Sequence, residues 1–349
     1  MSHVRRSWFH LLVLPAAVAG LALFFCSRPA SPSIMFHRLP IIQDGNLDHH
    51  PAAKSYRAVA QSLPPLPGRL PFHIGVVLKN FGNQYWQLLA QGIHEEARLY
   101  DTRLSILAGS AENDPDGQAE ALSELLKLDL DALIVAPQTD DNLTVGIQKA
   151  RDHSLLVVHI NEADSAGVEY LVGVRQYESG RLAASLMRQQ HPDGGQFALI
   201  NGPPNSYAAM QRARGFRDHL SIKHRLETEV AAGWDHHQAM QQTTRLLREF
   251  PDLIGVYCTN DNMALGACEA VRRLPQKRPL TIVGTDGIAV AMTAIRDGEL
   301  TGTVDTHAYG TGAIALETTL RLLTGQTLPP IVYCPQKIVT LQGRMDDQP

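Results

Sequence analysis

"VYCTNDNMALGA" (residues 256–267) runs from apolar Val256-Tyr257-Cys258 into three polar side chains, Asn260-Asp261-Asn262, and returns to apolar spacing at Met263, Ala264, Leu265 and Ala267. A buried strand gives way here to a helix. Asp and Asn at such a turn accept from the free N–H groups of the first helical turn. Strand-to-helix turns at the carboxyl ends of open α/β sheets are also where small molecules bind. The neighbouring sequence decides what the turn belongs to.

Outward from it, the same alternation repeats. "FHIGVVL" (72–78) precedes a helix over 84–100, with Trp86, Leu89, Ile93, Ala97 and Tyr100 on one face. "LSILA" (104–108), a helix over 114–128, "ALIVA" (132–136), a helix near 140–152, "LLVVHI" (155–160) and "YLVGV" (170–174) follow. A second series begins with a helix over 177–191, then "FALIN" (197–201), a helix over 206–220, a strand near 226–231 and a helix over 236–249. "IGVYC" (254–258), a helix over 261–274 and "LTIVGT" (280–285) close it. Strands apolar on both faces, alternating with helices, predict α/β architecture: doubly wound parallel sheets in two lobes of similar size. "GTVDT" (302–306), a helix over 309–324 and "PIVYCPQKIVTL" (330–341) read as returns between the lobes.

Composition narrows the function classes. The 349 residues carry a net charge of −4, so no strongly basic surface offers itself to nucleic acid. Of the four cysteines, Cys258, Cys268 and Cys334 fall in the globular part, an odd number that argues against a disulfide framework. The N-terminus is different in kind: Arg5 and Arg6 precede "WFHLLVLPAAVAGLALFFC" (8–26). That run approaches the ~20 apolar residues of a membrane-crossing helix, and the arginines predict a cytoplasmic start. An uncleaved anchor is the leading reading. Cleavage after Ala17-Val18-Ala19 and lipidation of Cys26 are the alternatives, and all three export the remainder. Prolines at 29, 32, 40, 51, 64, 65, 67 and 71, with no sustained period, predict an extended tether after it.

The polar residues that follow the strands are planar amides, acids and aromatics. Asn83, Tyr85 and Trp86 follow the first, and Asn161 and Glu162 follow "LLVVHI". Trp234, Asn260, Asp286 and Thr306 follow strands of the second series. Amides and carboxylates match the donors and acceptors of hydroxyl groups, while indole planes pack on the C–H face of a sugar ring.

Residues 72–341 resemble the type I periplasmic binding proteins, in the cluster that contains the ribose and galactose binders. "IGVVLKNFGNQYWQLLAQGIHEEA" is similar to that family's opening strand, aromatic pair and helix, and "AAMQRARGF", "TNDNMALGA" and "VGTDG" follow in the family's order. The resemblance implies two lobes joined by three hinge crossovers, closing around a sugar or polyol without catalysis or cofactor. The implied organisation is a signal or anchor segment at 1–27 and a proline-rich linker at 28–70. Lobe I would comprise 71–174 and 307–333, and lobe II 175–306 and 334–342, with a tail at 343–349. The resemblance also implies delivery of ligand, by a monomer in the periplasm, to an ABC-type permease. A membrane-tethered sensor signalling to a receptor or histidine kinase is the alternative that the anchor favours.

By position, the resemblance assigns ligand contacts to Asn83, Tyr85 and Trp86 from lobe I and to Trp234, Asn260 and Asp286 from lobe II. Asn161 and Glu162 stand where ribose binders show Asp-Arg, Met210 where they show arginine, and Thr306 where an amide is usual. Two arginines are thus missing, which leaves Asp286 without its cation. Either Lys79, Arg212 or Arg214 supplies the charge and the ligand is neutral, or the ligand itself is cationic, as an amino sugar would be.

Competing readings carry less. Asp261 and Asp235 read as helix caps. Asp235-His236-His237 and Asp48-His49-His50 lack a third ligand at metal spacing. Gly310-Thr311-Gly312 lacks the third glycine and strand context of a dinucleotide site, and "LKNFGNQYW" lacks the glycines an NAD-dependent oxidoreductase needs. A sugar-responsive repressor would need a helix-turn-helix before residue 71, where the apolar run and prolines stand. The N-terminal reading has a direct test. A reporter fused after Pro71 should be active only in a form that works outside the cytoplasm, and cytoplasmic activity would remove the export on which it rests.

Overall fold

The apolar runs form strands as expected in the computed structural model of the protein, which describes residues 39–42, 47–274 and 279–345. The chain begins with β1 (Lys54–Ser55), α1 (Tyr56–Ala60), β2 (His73–Leu78), α2 (Gln84–Leu99), β3 (Arg103–Ala108) and α3 (Pro115–Leu125). β4 (Ala132–Val135), α4 (Thr144–Asp152), β5 (Leu156–Ile160) and β6 (Tyr170–Gly173) complete the first pass through lobe I. Lobe II follows with α5 (Gln176–Gln190), β7 (Gly195–Asn201), α6 (Tyr207–His219), β8 (His224–Ala231) and α7 (His236–Glu249). It continues through β9 (Leu253–Cys258), α8 (Asp261–Arg272), β10 (Thr281–Asp286), α9 (Ala289–Arg296) and β11 (Gly302–Asp305). The chain returns to lobe I for α10 (Ala308–Leu323) and β12 (Ile331–Tyr333), then crosses again to β13 (Lys337–Thr340) and β14 (Gly343–Met345).

Two seven-stranded sheets result. Lobe I has the order β1-β12-β6-β5-β4-β2-β3, all parallel. Lobe II has β14-β13-β11-β10-β9-β7-β8, antiparallel only at β13 and β14. β2, β4, β5 and β6 are buried along their whole length, as strands covered on both faces must be. The chain crosses between sheets three times, after β6, after β11 and after β12.

Four features differ from the sequence reading. The second half of the expected linker is built into lobe I: β1 pairs with β12, Ser55 caps α1, and Leu47, Val59 and Leu70 are buried. Its elements are two to five residues long, too short to show a period. Gly343–Met345, expected as tail, adds the edge strand β14. α9, a helix of eight residues, has no counterpart in the sequence reading. Asp261 does not cap α8, because Asn260 holds that position. The expected membrane segment 8–26 lies outside the described residues; among those described, no helix is long and apolar enough to cross a membrane.

The distance between α5 and α6 positions the site, and glycine sets it. A Cβ on Gly215 would lie 1.9 Å from the Tyr177 carbonyl oxygen, and one on Gly180 would lie 2.0 Å from that of Arg212. Both backbones would have to move apart. Gly215→Ala should therefore lose about 1–3 kcal/mol of stability in urea denaturation. Wild-type stability in that variant would mean that the close approach is not needed.

Candidate functional site

The carboxyl ends of both sheets face one cleft, lined by residues of both lobes. From lobe I, Asn83 caps α2 by accepting from Tyr85 N–H at 3.0 Å, and its Nδ2 donates to Glu112 at 3.0 Å. This cap sets the first helical turn, which directs Tyr85 and Trp86 into the cleft edge to face, with ring centroids 5.0 Å apart. Asn161, in a left-handed conformation (φ 60°) after β5, donates from Nδ2 to the Tyr85 hydroxyl at 2.5 Å and accepts from Val174 N–H at 3.2 Å.

From lobe II, Trp234 follows β8 in the left-handed region (φ 65°), and its carbonyl accepts from Asn262 Nδ2 at 2.8 Å. Its indole fits only because residue 202 is glycine; a Cβ there would meet the ring at 2.4 Å. Asn260 both caps α8, accepting from Met263 N–H at 2.8 Å, and lines the cleft. Asp261 is instead buried behind the site. It accepts from Gly287 N–H (2.7 Å), Ile288 N–H (3.0 Å) and the Thr303 hydroxyl (2.6 Å), tying the β10–α9 turn to β11.

Two buried ion pairs face the cleft. Lys79 Nζ donates to Glu162 at 2.6 Å and sits 5.7 Å from the Trp86 ring and 6.0 Å from the Trp234 ring, within cation–π range. Glu162 also accepts from Ala208 N–H (3.1 Å) and the Ser206 hydroxyl (3.3 Å) at the start of α6, so one carboxylate links the lobes. Arg212 donates from Nη1 to Asp286 (3.1 Å) and the Thr259 carbonyl (2.7 Å), and from Nε to Gln176 (2.9 Å). Asp286 therefore has its cation. Arg214, the third possibility in the sequence, is exposed and lies 3.5 Å from Asp218.

Eight of the ten residues named from sequence line this cleft: Asn83, Tyr85, Trp86, Asn161, Glu162, Trp234, Asn260 and Asp286. Met210 and Thr306 do not. Met210 is 42% exposed, because on α6 it lies two residues from both Ala208 and Arg212, which face the cleft. At 100° per residue, that puts it on the opposite side of the helix. Thr306 is buried behind the site, its hydroxyl donating to the Asp286 carbonyl at 3.2 Å. Sequence reasoning left out Glu112 and Gln176, and named Lys79 and Arg212 only among possible cations. The signals were present: Glu112 follows a strand end, and Ala208 and Arg212 are spaced i, i+4.

Burial dominates the site's acid–base chemistry. It pushes the Asp286 carboxyl up to about 7, although Arg212 pulls the other way, and nearby Asp261 adds to the rise. Asp261 is likewise raised by burial to about 6 against its hydrogen bonds from Thr303, Ile288 and Gly287. For Arg212, burial is the largest influence and acts downward, but Asp286, Tyr257, Tyr85 and Glu162 together outweigh it and hold the guanidinium above its ordinary value.

Residues 74–327 match the family described as periplasmic binding protein domain. A ribose import binding protein of Bacillus subtilis (strain 168) is 27% identical over 270 residues, covering 77% of this chain and 87% of its own. Among solved structures, an ABC transporter periplasmic solute binding protein of Actinobacillus succinogenes 130z, with bound D-allose, superposes with a TM-score of 0.73. It is 24% identical and covers 78% of this chain and 98% of its own. The fructose-binding periplasmic domain of a hybrid two-component system also superposes at 0.73, with 22% identity, covering 78% and 91%. At those identities the likeness of the two structures is one of fold.

The raised carboxyls give a signed pH dependence. A carboxyl whose folded pKa exceeds its unfolded value contributes stability that is present below the unfolded pKa and lost as pH rises through the folded one. For Asp286 that window runs from 3.8 to about 7. The stability of the wild type relative to Asp286→Asn should therefore fall across that window and level off above it, as read by denaturation at a series of pH values. A flat difference would mean that Asp286 titrates as an ordinary carboxyl.

Proposed function

We propose, from the fact that the chain belongs to the periplasmic binding protein family, that it is an exported receptor closing on a small, neutral, polyhydroxylated ligand. The family binds solutes and does not catalyse reactions. One observation carries the choice of ligand: the four buried charges of the cleft, Lys79, Glu162, Arg212 and Asp286, are already paired within the protein. A charged ligand would have to break one of these pairs and leave its partner buried and uncompensated, at a cost of several kcal/mol. A sugar or polyol need not. Its ring can pack on Trp86 and Trp234, and its hydroxyls meet the amides of Asn83 and Asn260 and the free lone pairs of the acids.

Binding would shift an open–closed equilibrium toward the closed arrangement, and a membrane partner would read that arrangement. In this reading the chain works in the periplasm, tethered to the inner membrane by residues 8–26, and hands its ligand to an ABC-type permease. The relatives support this partner by name: the Bacillus protein is an import binding protein, and the Actinobacillus protein belongs to an ABC transporter. A sensor role is the second reading, favoured by the fold shared with a sugar-binding domain of a hybrid two-component system. A cationic amino sugar, the remaining possibility from the sequence, loses the argument from Asp286 once that carboxylate pairs with Arg212, and keeps only the part-buried Glu112 in the cleft lining.

A thermal-shift screen of the protein against pentoses, hexoses, polyols and amino sugars tests this. Neutral compounds should stabilise it, glucose no less than glucosamine at any salt concentration. Asn260→Asp keeps an oxygen to cap α8 but removes the amide donor and adds a buried carboxyl, so the ligand-free melting temperature should fall somewhat and the ligand-induced shift should fall as well. Losing a hydrogen bond to a desolvated hydroxyl costs about 1–3 kcal/mol. A preference for glucosamine that weakens with salt would replace the neutral ligand with a charged one, and an unchanged shift in Asn260→Asp would remove Asn260 from the site.

A further inference from the structure

Leu47 and Asp48 are adjacent in sequence and bonded to different lobes. Leu47 belongs to an apolar cluster made mostly by lobe I (Val168, Leu171, Ile331 and Tyr333), with Tyr207 of lobe II at its edge, and its carbonyl oxygen accepts from the Tyr333 hydroxyl. The carboxylate of Asp48, which is 3% exposed, accepts instead from two groups of lobe II. One is the backbone N–H of Tyr177 in the first turn of α5; the other is the hydroxyl of Tyr207, the first residue of α6, at 3.2 Å. The His49 ring packs edge to face on the Tyr177 ring, 5.4 Å between centroids.

On both sides of this point the chain is fastened to lobe I. Ile42 bridges to Val168, and Lys54 pairs with Val332 in the sheet. Residues 47–49 therefore span from one lobe to the other, and none of the three lines the cleft. The match to the family begins at residue 74, downstream of them. The bonds of Asp48 and the apolar cluster of Leu47 thus tie the two lobes together at this edge.

We propose that Leu47–His49 is a clasp which holds the lobes in their closed arrangement, and that Asp48 acts as a positioning residue for ligand binding by favouring that arrangement. The apparent affinity of a ligand that needs the closed form scales with the fraction of protein already closed. A clasp that raises this fraction strengthens binding without touching the ligand. It also couples closure to the chain on its N-terminal side, which in sequence follows the apolar run at 8–26. Burial raises the pKa of Asp48, opposed first by its bond from Tyr177 and then by that from Tyr207. The other groups around the clasp are His49, Tyr333 and Arg175, whose guanidinium lies 4.7 Å from the Tyr333 ring.

The consequence for affinity rests on the lobe closure proposed above; the clasp itself does not depend on which ligand binds. Spin labels at exposed Glu120→Cys in lobe I and Arg248→Cys in lobe II, with Cys26→Ser and the other cysteines buried, report the interlobe distance in ligand-free protein. Asp48→Ala should raise the open-to-closed ratio by about tenfold or more, tenfold being what the loss of a single hydrogen bond to a charged group would give. Tyr207→Phe, which keeps the ring and removes one donor, should move it in the same direction by less. Ser55→Ala, at the α1 cap within lobe I, should leave the distribution alone. If Asp48→Ala does not fold, Tyr207→Phe decides. A folded variant with the wild-type distribution, or an equal change in Ser55→Ala, overturns the clasp. Adding D-allose or D-ribose as probes separates the two ideas. If neither sugar shifts any distribution, these sugars are not the ligand, while the ligand-free comparison still judges the clasp.

Discussion

The guanidinium of Arg212 is the interaction on which the rest of the cleft depends. It is buried, and in that setting it must satisfy its donors and its charge within the protein. It does so by joining four elements: Gln176 at the start of α5, Thr259 at the end of β9, Asp286 at the end of β10, and the Trp234 ring 6.0 Å away. These are the strand ends and helix starts that form lobe II's half of the site. Arg212 reaches them because α6 lies against α5 at glycine distance, so the packing of two helices fixes where a charge sits. Removing either member of the pair would leave the other as a buried, uncompensated ion.

Lobe I answers with the opposite arrangement. There the cation is Lys79, and its partner Glu162 extends beyond the pair to the first turn of α6 in the other lobe. Backbone N–H groups and the helix dipole at that position favour a negative charge. Further contacts between the lobes include bonds from Asn113 to the Gly233 carbonyl at 2.9 Å, from Asp140 N–H to the Asn205 carbonyl at 3.1 Å and from Gln176 Nε2 to the Asn161 carbonyl at 3.0 Å. α6 is thus held from lobe I by Glu162 at one point and by Asp48 at another.

Much of this was legible in the sequence, for definable reasons. Parallel strands buried on both faces are continuous apolar runs, and helices of three or more turns show one apolar side, so both lobes could be drawn from periodicity. Turns after strands gave Trp86, Trp234, Asn260 and Asp286, because polar residues at that point have few other uses. α1, α9 and residues 47–49 were not legible, since five, eight and three residues carry no period and are ordered by what they pack against. Met210 shows the limit of carrying a role over by position. A difference of two residues is small along a sequence but turns a helical side chain from the cleft to the solvent. Which residue supplies Asp286's cation was a tertiary question, and α6 answered it at residue 212.

The closing contacts also set a limit on one another. Moving a two-state equilibrium from almost wholly open to almost wholly closed takes about 5.5 kcal/mol of differential binding. Hydrogen bonds to charged groups contribute about 1.5–3 kcal/mol each. The bonds of Glu162 and Asp48 between the lobes could therefore supply that amount without any ligand, and under the proposed function a receptor closed at all times would report nothing. The proposed function then requires an opposing term, and the burial that raises the pKa of Asp48 and Asp286 acts in that direction. Burial takes water from both carboxyls, and their protein bonds only partly replace it. The free energy of closure is then a small difference between desolvation and bonding. That is the condition under which a few ligand hydroxyls and two indole faces can decide it.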